Sequence, residues 1–562
     1  MTMKNILYMV CFLLTLASCS EKDDWNTPSL LINKSASQTL WQNMEEQGNL
    51  SQFMELAKRV GYDKELQNSR YLTVWAPSDD SFNFDSLNNV SDDLLLQRFV
   101  KNHIANYDYR AAPGMRQRVR TLNEKSYWME ADEQGQSVFD GIPVSLPNVA
   151  ASNGRLHVLA GQAPYYNLAY HQIFDWADEA PLFAQYIRKF EHSKLDVSKS
   201  IEGPVDENGN QTYIDSVMFV TNDLAYKMDR VDGKARTNLL RAAIADEDSS
   251  YTMLVPTDAA YQKYLERIEP YFHYADATQY YEIPASGDLA DTVKVCRKQV
   301  VYSKGDLLSD SVSRLNVVSD LFFSNTDSYN SSLANDTLRS TYGRKLPSGG
   351  LLSAVVKQQQ LSNGKAYLIS EIPYQPRNSV CPDIHVPITS EAFRPRVNSV
   401  NQISVVKVGD GEQNLDKGDR IQNYLSLSVS KVAKPEVFFY VPHVMSATYD
   451  VYIVLVPSDI LKENKDVKNL PQQVRLFATY ADASGSVGKA TCSTVSPTKI
   501  IGTVTSNPAR IDTLKVGQIT FPVAYEGLGC YPVISVKSMQ HNASGKYDNN
   551  LRIADIILKQ VE

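Results

Sequence analysis

The sequence predicts a multi-domain α+β protein in which one module occurs twice and an all-β sandwich follows. Two short motifs recur in the same order along the chain. From about residue 378, short strand-like runs separated by turn residues replace the helical patterns. The 562 residues suffice for about three or four domains. The composition, 43% hydrophobic and 21% charged, is typical of globular domains.

The first motif is a short apolar run that ends in Pro and Ser/Thr-Asp. It occurs as LTVWAPSDDSF at 72–82 and as YTMLVPTDAAY at 251–261. Proline has no N–H and therefore ends a strand. Ser/Thr and Asp accept hydrogen bonds from helix N-termini, so the pattern predicts a strand followed by a capped helix.

The second motif is Ser-Asn-Gly, at 152–154 and at 362–364. Asn-Gly tolerates positive φ, and the flanking residues alternate between apolar and polar, which together predict a β-hairpin. Paired motifs in the same order indicate one fold used twice.

With FVKNHI at 99–104, TLN at 121–123 and SNGRLHVL at 152–159, the first copy resembles a fasciclin (FAS1) domain over about 35–166. The second copy lacks the His motif, and Tyr367 stands where His157 stands in the first. It also has inserts, at 198–213 and at 324–340. We therefore expect 167–376 to be a divergent, decorated FAS1 domain. The resemblance implies adhesion or extracellular ligand capture.

The last region, 378–562, predicts an antiparallel β-sandwich. Two of its runs, 449–454 and 551–558, resemble strands of galactose-binding-like jelly rolls, which often bind carbohydrate. The eight strand-like runs are 402–408, 424–429, 437–441, 449–456, 474–480, 518–523, 533–536 and 551–558.

The N-terminus predicts export. Lys4, the apolar run 6–16 and the small residues before Cys19 are typical of a signal peptide, here 1–18, and the run is too short to span a bilayer. Leu-Ala-Ser-Cys matches the lipobox of bacterial lipoproteins, which implies lipidation of Cys19. The linker 19–34 begins with acidic residues that resemble a surface-export signal of outer-membrane lipoproteins. We expect an outer-membrane lipoprotein that faces the cell exterior. A simple cleaved signal, or periplasmic exposure, is the alternative.

The remaining cysteines, at 296, 381, 492 and 530, show no CxxC spacing. A Cys492–Cys530 disulfide and unpaired buried thiols both stay open. A net charge of −8 argues against nucleic acid as a partner. No catalytic motif and no histidine pair at ligand spacing occurs. We therefore expect no enzyme activity, no cofactor and no metal. The alternative is a hydrolase with a pair of carboxylates, whose spacing is set in space and not in sequence. His103 and His157 are expected in the core, bonded to backbone carbonyls. The alternative is a polar contact that orients an adhesive surface.

Tyrosine is abundant, with 32 residues against 18 Phe and 5 Trp. Its flat ring and hydroxyl suit sugar ligands. The alternative is a core tyrosine with its hydroxyl at the rim. The candidate ligand-binding residues are Tyr271, Tyr274, Tyr440, Tyr449, Tyr480 and Tyr525.

These features predict a non-catalytic surface lipoprotein whose terminal domain binds a glycan in support of polysaccharide uptake. Its expected partners are the membrane, through the lipid anchor, the glycan, and components of a glycan-uptake transporter. The alternative is cell adhesion to protein or matrix partners through the FAS1 domains.

Overall fold

The structure is a computed structural model that describes residues 34–226, 238–282, 298–302, 304–487 and 499–561. The chain divides into two compact units, Met1–Tyr166 and Asn167–Glu562. The predicted signal peptide lies outside the described residues, and so do Cys19, Cys296 and Cys492. None of the described helices combines the length and apolar composition that a bilayer crossing requires.

One seven-stranded sheet organises the first unit. Its strands are β1 (Leu72–Pro77), β2 (Ile104–Asn106), β3 (Arg116–Arg120), β4 (Ser126–Ala131), β5 (Ser137–Phe139), β6 (Ile142–Ala151) and β7 (Gly154–Leu159). They lie in the order β2-β1-β7-β6-β5-β4-β3. β1 and β7 are parallel and fully buried, so the two sequence motifs lie side by side at the centre of the sheet.

Short helices cover one face of this sheet. They are α1 (Lys34–Ser37), α2 (Leu40–Gln47), α3 (Ser51–Arg59), α4 (Asp63–Gln67), α5 (Phe84–Asn88) and α6 (Asp92–Leu95). Thr39 and Gln42 form a capping box at the start of α2. The buried side chains of α2 and α3 share a core with β1 and β7. After α6, a π-helical turn (Leu96–Val100) and a 3-10 turn (Lys101–His103) lead into β2.

A second core lies on the opposite face of the sheet. Trp75 from β1 stacks on Phe139 from β5 with 4.6 Å between ring centroids. Val119 and Tyr127, from β3 and β4, belong to the same cluster. Strands β3–β5 therefore seal the face of β1 and β7 that the helices leave open.

The second unit repeats the central strand arrangement of the first. Its helices are α7 (Ala169–Asp175), α8 (Pro181–Arg188), α9 (Asp258–Ile268), α10 (Gly305–Ser319) and α11 (Leu351–Ala354). Its first strands are β8 (Glu191–Leu195), β9 (Ile201–Val205), β10 (Gln211–Asp215), β11 (Met218–Asn222), β12 (Tyr251–Pro256), β13 (Ala277–Tyr280), β14 (Lys298–Val301), β15 (Phe322–Ser324), β16 (Thr337–Arg339), β17 (Lys345–Pro347), β18 (Val355–Leu361) and β19 (Gly364–Ile369). The order β15-β12-β19-β18 matches β2-β1-β7-β6, with β12 and β19 parallel.

The asparagine of each Ser-Asn-Gly motif is a buried hub. The Asn153 amide donates to the carbonyls of Leu66 and Asn68, and its oxygen accepts the Leu40 N–H at the start of α2. The Asn363 amide donates to the carbonyls of Ile244 and Asp246, and its oxygen accepts the Ala169 N–H at the start of α7. These asparagines therefore fasten a hairpin to a helix distant in sequence, besides forming the predicted turn.

The aspartate of the other motif caps a helix different from the predicted one. Asp79 accepts the backbone N–H groups of Ser51 and Gln52 at the start of α3, which precedes it in sequence. Asp258 likewise accepts the Leu182 N–H of α8. The prediction of a cap on the following helix is wrong for both aspartates. It is confirmed for Thr257, which caps α9. The physical reason is that the earlier helix packs with its N-terminus over the end of the strand.

An exposed arm distinguishes the second unit. Residues 60–71 join α3 to β1, whereas 189–250 join α8 to β12. Within this connection, residues 191–222 form two antiparallel ribbons, β8 with β11 and β9 with β10. Apolar side chains along the arm are exposed, and Ile214 reaches 75%.

Two antiparallel sheets end the chain. Their strands are β20 (Ile384–His385), β21 (Arg396–Asn398), β22 (Gln402–Lys407), β23 (Asn423–Ser428), β24 (Glu436–Tyr440), β25 (Thr448–Leu455), β26 (Gln473–Thr479), β27 (Lys499–Thr505), β28 (Asp512–Thr520), β29 (Val533–Ser538) and β30 (Leu551–Gln560). One sheet has the order β22-β23-β30-β25-β28, with β20 on β30, and the other β21-β24-β29-β26-β27. Residues of both sheets share one core. The jelly-roll topology stays a prediction.

The segment 270–280 joins these sheets to the first part of the second unit. The Ala524 N–H donates to the His273 carbonyl at 2.7 Å, and the Gln279 N–H donates to the Gly485 carbonyl at 2.6 Å. One hydrophobic cluster extends over both parts. The predicted boundary between 376 and 378 therefore falls inside one compact unit, and the separate domains stay a prediction.

Candidate functional site

Four of the six candidate tyrosines lie in the core of the second unit. Tyr274, Tyr449, Tyr480 and Tyr525 are buried, so none of them offers an open ring face to a sugar. Burial raises the pKa of the Tyr274, Tyr449 and Tyr525 hydroxyls. Their hydroxyls bond within the protein: Tyr525, for example, accepts the Ala481 N–H at 2.7 Å.

The aromatic cluster at 271–274 serves packing between the two parts of the second unit. The Tyr274 hydroxyl donates to the Glu526 carbonyl at 2.9 Å. The Gln560 amide donates to the Tyr271 hydroxyl at 3.0 Å. Tyr440 is half-buried, 6.0 Å from the Tyr531 ring. Only Tyr271 and Tyr440 of the six retain partial exposure. Their proposed ligand role stays a prediction.

A polar cleft of about 480 Å³ opens on the second unit. It lies on one face of the β15-β12-β19-β18 sheet, where side chains of β12, β18 and β19 meet the segment after β15. Its lining carries hydroxyl and amide groups with a few apolar side chains. The lining residues are Ser250, Thr252, Asn325, Asn330, Ser331, Ser332, Leu333, Leu352, Gln360, Leu361, Ser362, Gly364, Lys365 and Tyr367.

Internal hydrogen bonds hold the polar wall in place. The Thr252 hydroxyl donates to Asn325 Oδ1 at 2.8 Å, and Asn325 Nδ2 donates to Ser250 Oγ at 3.0 Å. Asn330 is buried, and its amide donates to the carbonyls of Ser324 and Arg339. The wall is therefore preorganised, which lowers the entropic cost of binding.

Two longer side chains on β19 point into the cleft. Register places Lys365 opposite Thr252 on one side and Gln360 on the other, and Tyr367 lies two residues further along the same face. Tyr367 is half-buried and Lys365 is exposed. Leu352, 57% exposed, adds an apolar surface at the rim.

The equivalent positions in the first unit are sealed. The parallel registers Thr73↔Arg155 and Thr252↔Lys365 match, so His157 corresponds to Tyr367. Thr73, Arg155 and His157 are buried beneath the segment after β2. The Thr73 hydroxyl donates to the Tyr107 carbonyl at 2.7 Å.

Burial also fixes the charge states in this sealed site. It lowers the pKa of His157 to about 4, so the ring is neutral near pH 7. Nε2–H of His157 donates to the Tyr109 carbonyl at 2.9 Å. Arg155 forms an ion pair with Asp108. Burial by itself raises the pKa of the Asp108 carboxyl, but hydrogen bonds from Arg155 and Arg110 outweigh burial, and the pKa is lowered. The same three positions are therefore structural in the first unit and accessible in the second.

Sequence reasoning missed the cleft. The available signal was the replacement of His157 by Tyr367 within otherwise matching motifs. That substitution alone does not reveal whether the position is covered.

The residues that line the cleft are almost all uncharged. None of the described residues that line the cleft carries a carboxylate, and no histidine lies among them. Across the described parts of the chain, no group of three or more His, Cys, Asp or Glu side chains is arranged to hold a metal. Cys381 and Cys530 are buried free thiols, and burial raises their pKa to about 11 and about 12.

The fasciclin domain family model matches residues 48–161. This part of the chain is a fasciclin domain. The match confirms the resemblance for the first copy. Fasciclin domains are associated with cell adhesion and binding, so the match supports a binding role for this part of the chain.

Two solved structures show a weaker likeness. A FAS1 domain pair from the insect cell adhesion molecule Fasciclin I is 13% identical, with 59% of this chain and 99% of that chain covered and a TM-score of 0.21. The xylanase 10B CBM22-1-GH10 modules of Clostridium thermocellum, complexed with xylohexaose, are 10% identical, with a TM-score of 0.19. That match covers 32% of this chain and 28% of the xylanase chain. Both TM-scores are too low to support an inference. Comparison with curated proteins gave no match.

Proposed function

We propose that this protein is a non-catalytic, lipid-anchored surface protein that captures an extracellular glycan in the cleft of its second unit. The observation that carries the proposal is the open polar cleft at sheet positions that are sealed in the fasciclin domain. We place the ligand here, and not in the terminal sheets, because four of the six tyrosines expected to bind it are buried.

The chemistry of the cleft suits a sugar chain. Sugars present hydroxyl groups at their edges and apolar C–H groups on their faces. Thr252, Asn325 and Gln360 supply hydroxyl and amide groups for the edges. The half-buried Tyr367 ring and the exposed Leu352 side chain supply apolar surface for a face. A few polar groups placed around apolar surface are typical of ligand sites.

The architecture proposed with this function is a second, divergent fasciclin module at 167–376, followed by a β-sandwich at 378–562. The matching strand orders and parallel registers support the first part of this proposal. The shared core of the two terminal sheets supports the second part.

The anchor rests on the sequence. The Leu-Ala-Ser-Cys motif supports lipidation of Cys19, and the acidic residues after it support display on the outer face of the outer membrane. In that position the protein would hold glycan near a glycan-uptake transporter. Metabolic labelling with a fatty-acid analogue tests the anchor: we expect label on the wild-type chain and none on Cys19→Ala.

Glycan capture is tested with residues 20–562 on an array of polysaccharides and by isothermal titration with those retained. We expect Tyr367→Ala to lower affinity by about tenfold or more, because it removes the central ring. Tyr107→Ala is the matched control, since Tyr107 is 77% exposed and belongs to the first unit. Retention that is unchanged in Tyr367→Ala would place the site elsewhere, and no retention on any glycan would end the proposal.

Adhesion through the fasciclin domain is the second candidate, and one surface favours it. Trp128 on β4 is 42% exposed and lies under the Arg116 guanidinium at 4.1 Å. Arg118, its register partner on the edge strand β3, is also exposed. Aromatic and Arg side chains are enriched at protein interfaces. Trp128→Ala should abolish cell attachment if adhesion uses this surface, and unchanged attachment would exclude it.

A further inference from the structure

The central sheet places a cation at the same position in both units. Arg155 lies opposite Thr73, and Lys365 lies opposite Thr252, in matching parallel registers. Each follows the glycine of its Ser-Asn-Gly motif directly. The two positions differ in what neutralises the charge.

In the fasciclin domain the counter-ion is internal. Arg155 is buried, and its guanidinium donates to both carboxylate oxygens of Asp108, from Nη2 at 3.0 Å and also from Nε. Asp108 stands two residues beyond the last residue of β2, Asn106. The positive charge at this position is thus paired by a carboxylate from the segment that seals the site.

The second unit lacks that carboxylate. Ser324 holds the register that Asn106 holds in the first unit, so Thr326 takes the place of Asp108. The Thr326 hydroxyl is bonded to Ser324 Oγ at 2.8 Å. The next acidic residue, Asp327, is already paired with Arg339. The segment after β15 therefore offers no counter-ion to the cleft.

Lys365 is the one charged side chain among the described residues that line the cleft. Over the described chain, no ion pair of Lys365 occurs at salt-bridge distance. The neighbouring lining groups are hydroxyls and amides, which bond sugar hydroxyls but do not neutralise a cation. An anionic group on the ligand would complete the pair that Asp108 completes in the first unit.

We infer that the captured glycan is acidic, with a carboxylate or sulfate group bound by Lys365. This inference rests on the proposed glycan capture and names the class of glycan. A hydrogen bond between charged groups is stronger than a neutral one, and here it corresponds to about a tenfold change in affinity. Because the chain carries a net charge of −8, this preference depends on the local cation and not on overall attraction.

The test uses residues 20–562 and two pairs of probes, each with an anionic and a neutral member. Polygalacturonate against its methyl ester tests a carboxylate, and dextran sulfate against dextran tests a sulfate. In at least one pair we expect the anionic member to bind about tenfold more tightly at near-physiological salt. Lys365→Met should abolish the difference and Lys365→Arg should retain it. Lys357→Met is the matched control, because Lys357 lies on β18 and pairs with Glu179.

The outcomes separate the inference from the proposed function. Equal binding within both pairs, or a difference that persists in Lys365→Met, overturns the acidic-glycan inference. Capture of neutral glycans alone also overturns it, and both results leave glycan capture standing. If neither the probes nor any arrayed glycan binds, glycan capture itself fails. Thermal melting of each variant shows whether a loss of binding reflects unfolding.

Discussion

Acidification should destabilise the fasciclin domain through its two buried histidines. Both have one ring nitrogen that donates to a carbonyl and one that accepts a backbone N–H. In His103, Nδ1–H donates to the Phe99 carbonyl at 2.8 Å, and Nε2 accepts the Ala163 N–H at 3.0 Å. In His157, Nδ1 accepts the Asn148 N–H at 3.3 Å. Protonation would place a hydrogen on the accepting nitrogen of each ring. That nitrogen could then no longer accept the backbone N–H, and two donors would face each other.

The magnitude follows from the pKa values. Burial lowers the pKa of His103 and of His157 from 6.5 to about 4. Between these two values the unfolded chain binds protons that the folded chain does not, so stability falls as pH falls. From about pH 7.5 to about pH 5, each histidine should cost about 2 kcal/mol, and both together about 4 kcal/mol. Below about pH 4 the folded rings also protonate and this loss levels off.

The assay is urea unfolding of residues 34–166 at several pH values, with tryptophan fluorescence as the signal that monitors unfolding. Trp75 stacks on His157 with 5.6 Å between centroids, so one of the three tryptophans in this fragment lies at the site. His157→Gln retains a donor for the Tyr109 carbonyl but does not titrate. We expect this variant to lose about half as much free energy of unfolding over the same pH range. An equal loss in wild type and variant would refute the reasoning.

Three further predictions concern structure. Gly364→Ala should destabilise the second unit by about 3 kcal/mol or more, because φ is 138° at this residue and a Cβ would overlap the Tyr251 carbonyl. An unchanged melting temperature would contradict this prediction. Tyr127→Phe should lower the free energy of unfolding, measured in urea, by about 1–3 kcal/mol, because the Tyr127 hydroxyl donates to Asn102 Oδ1 at 2.5 Å. An unchanged free energy of unfolding would show that this hydrogen bond does not contribute to stability. Replacing the arm tip, residues 197–217, with a short turn should shift the calorimetric melting temperature by only about 2 °C, because the side chains of the tip are mostly exposed. A large drop in melting temperature would show that the arm supports the core.

The cleft illustrates where prediction from the sequence stopped. The motif pairs predicted a repeated strand arrangement, and the matching registers of β12–β19 and β1–β7 agree with it. The motifs did not indicate that the segment after β2 buries Thr73, Arg155 and His157, whereas the equivalent side chains of the second unit stay accessible. Coverage depends on segments that lie far apart in sequence, such as Phe139 stacking on Trp75.

The terminal sheets show the same division. The strand-like runs at 424–429, 449–456 and 551–558 correspond to β23, β25 and β30. The edge strand β27 was missed because most of its side chains are exposed and its hydrophobic pattern is weak. The run predicted at 518–523 is the end of β28, Asp512–Thr520. Alternation predicts a strand only where one face is buried.

The sequence by itself determined the fasciclin motifs, their repetition and the change to short strands, because these depend on turn chemistry and on residues close together along the chain. Only the tertiary structure decided which tyrosines are accessible, which helix each aspartate caps and which sheet face is open. Burial and hydrogen-bond partners depend on which distant segments pack together. Local sequence periodicity does not contain that information, so the polar cleft could be found only in the folded chain.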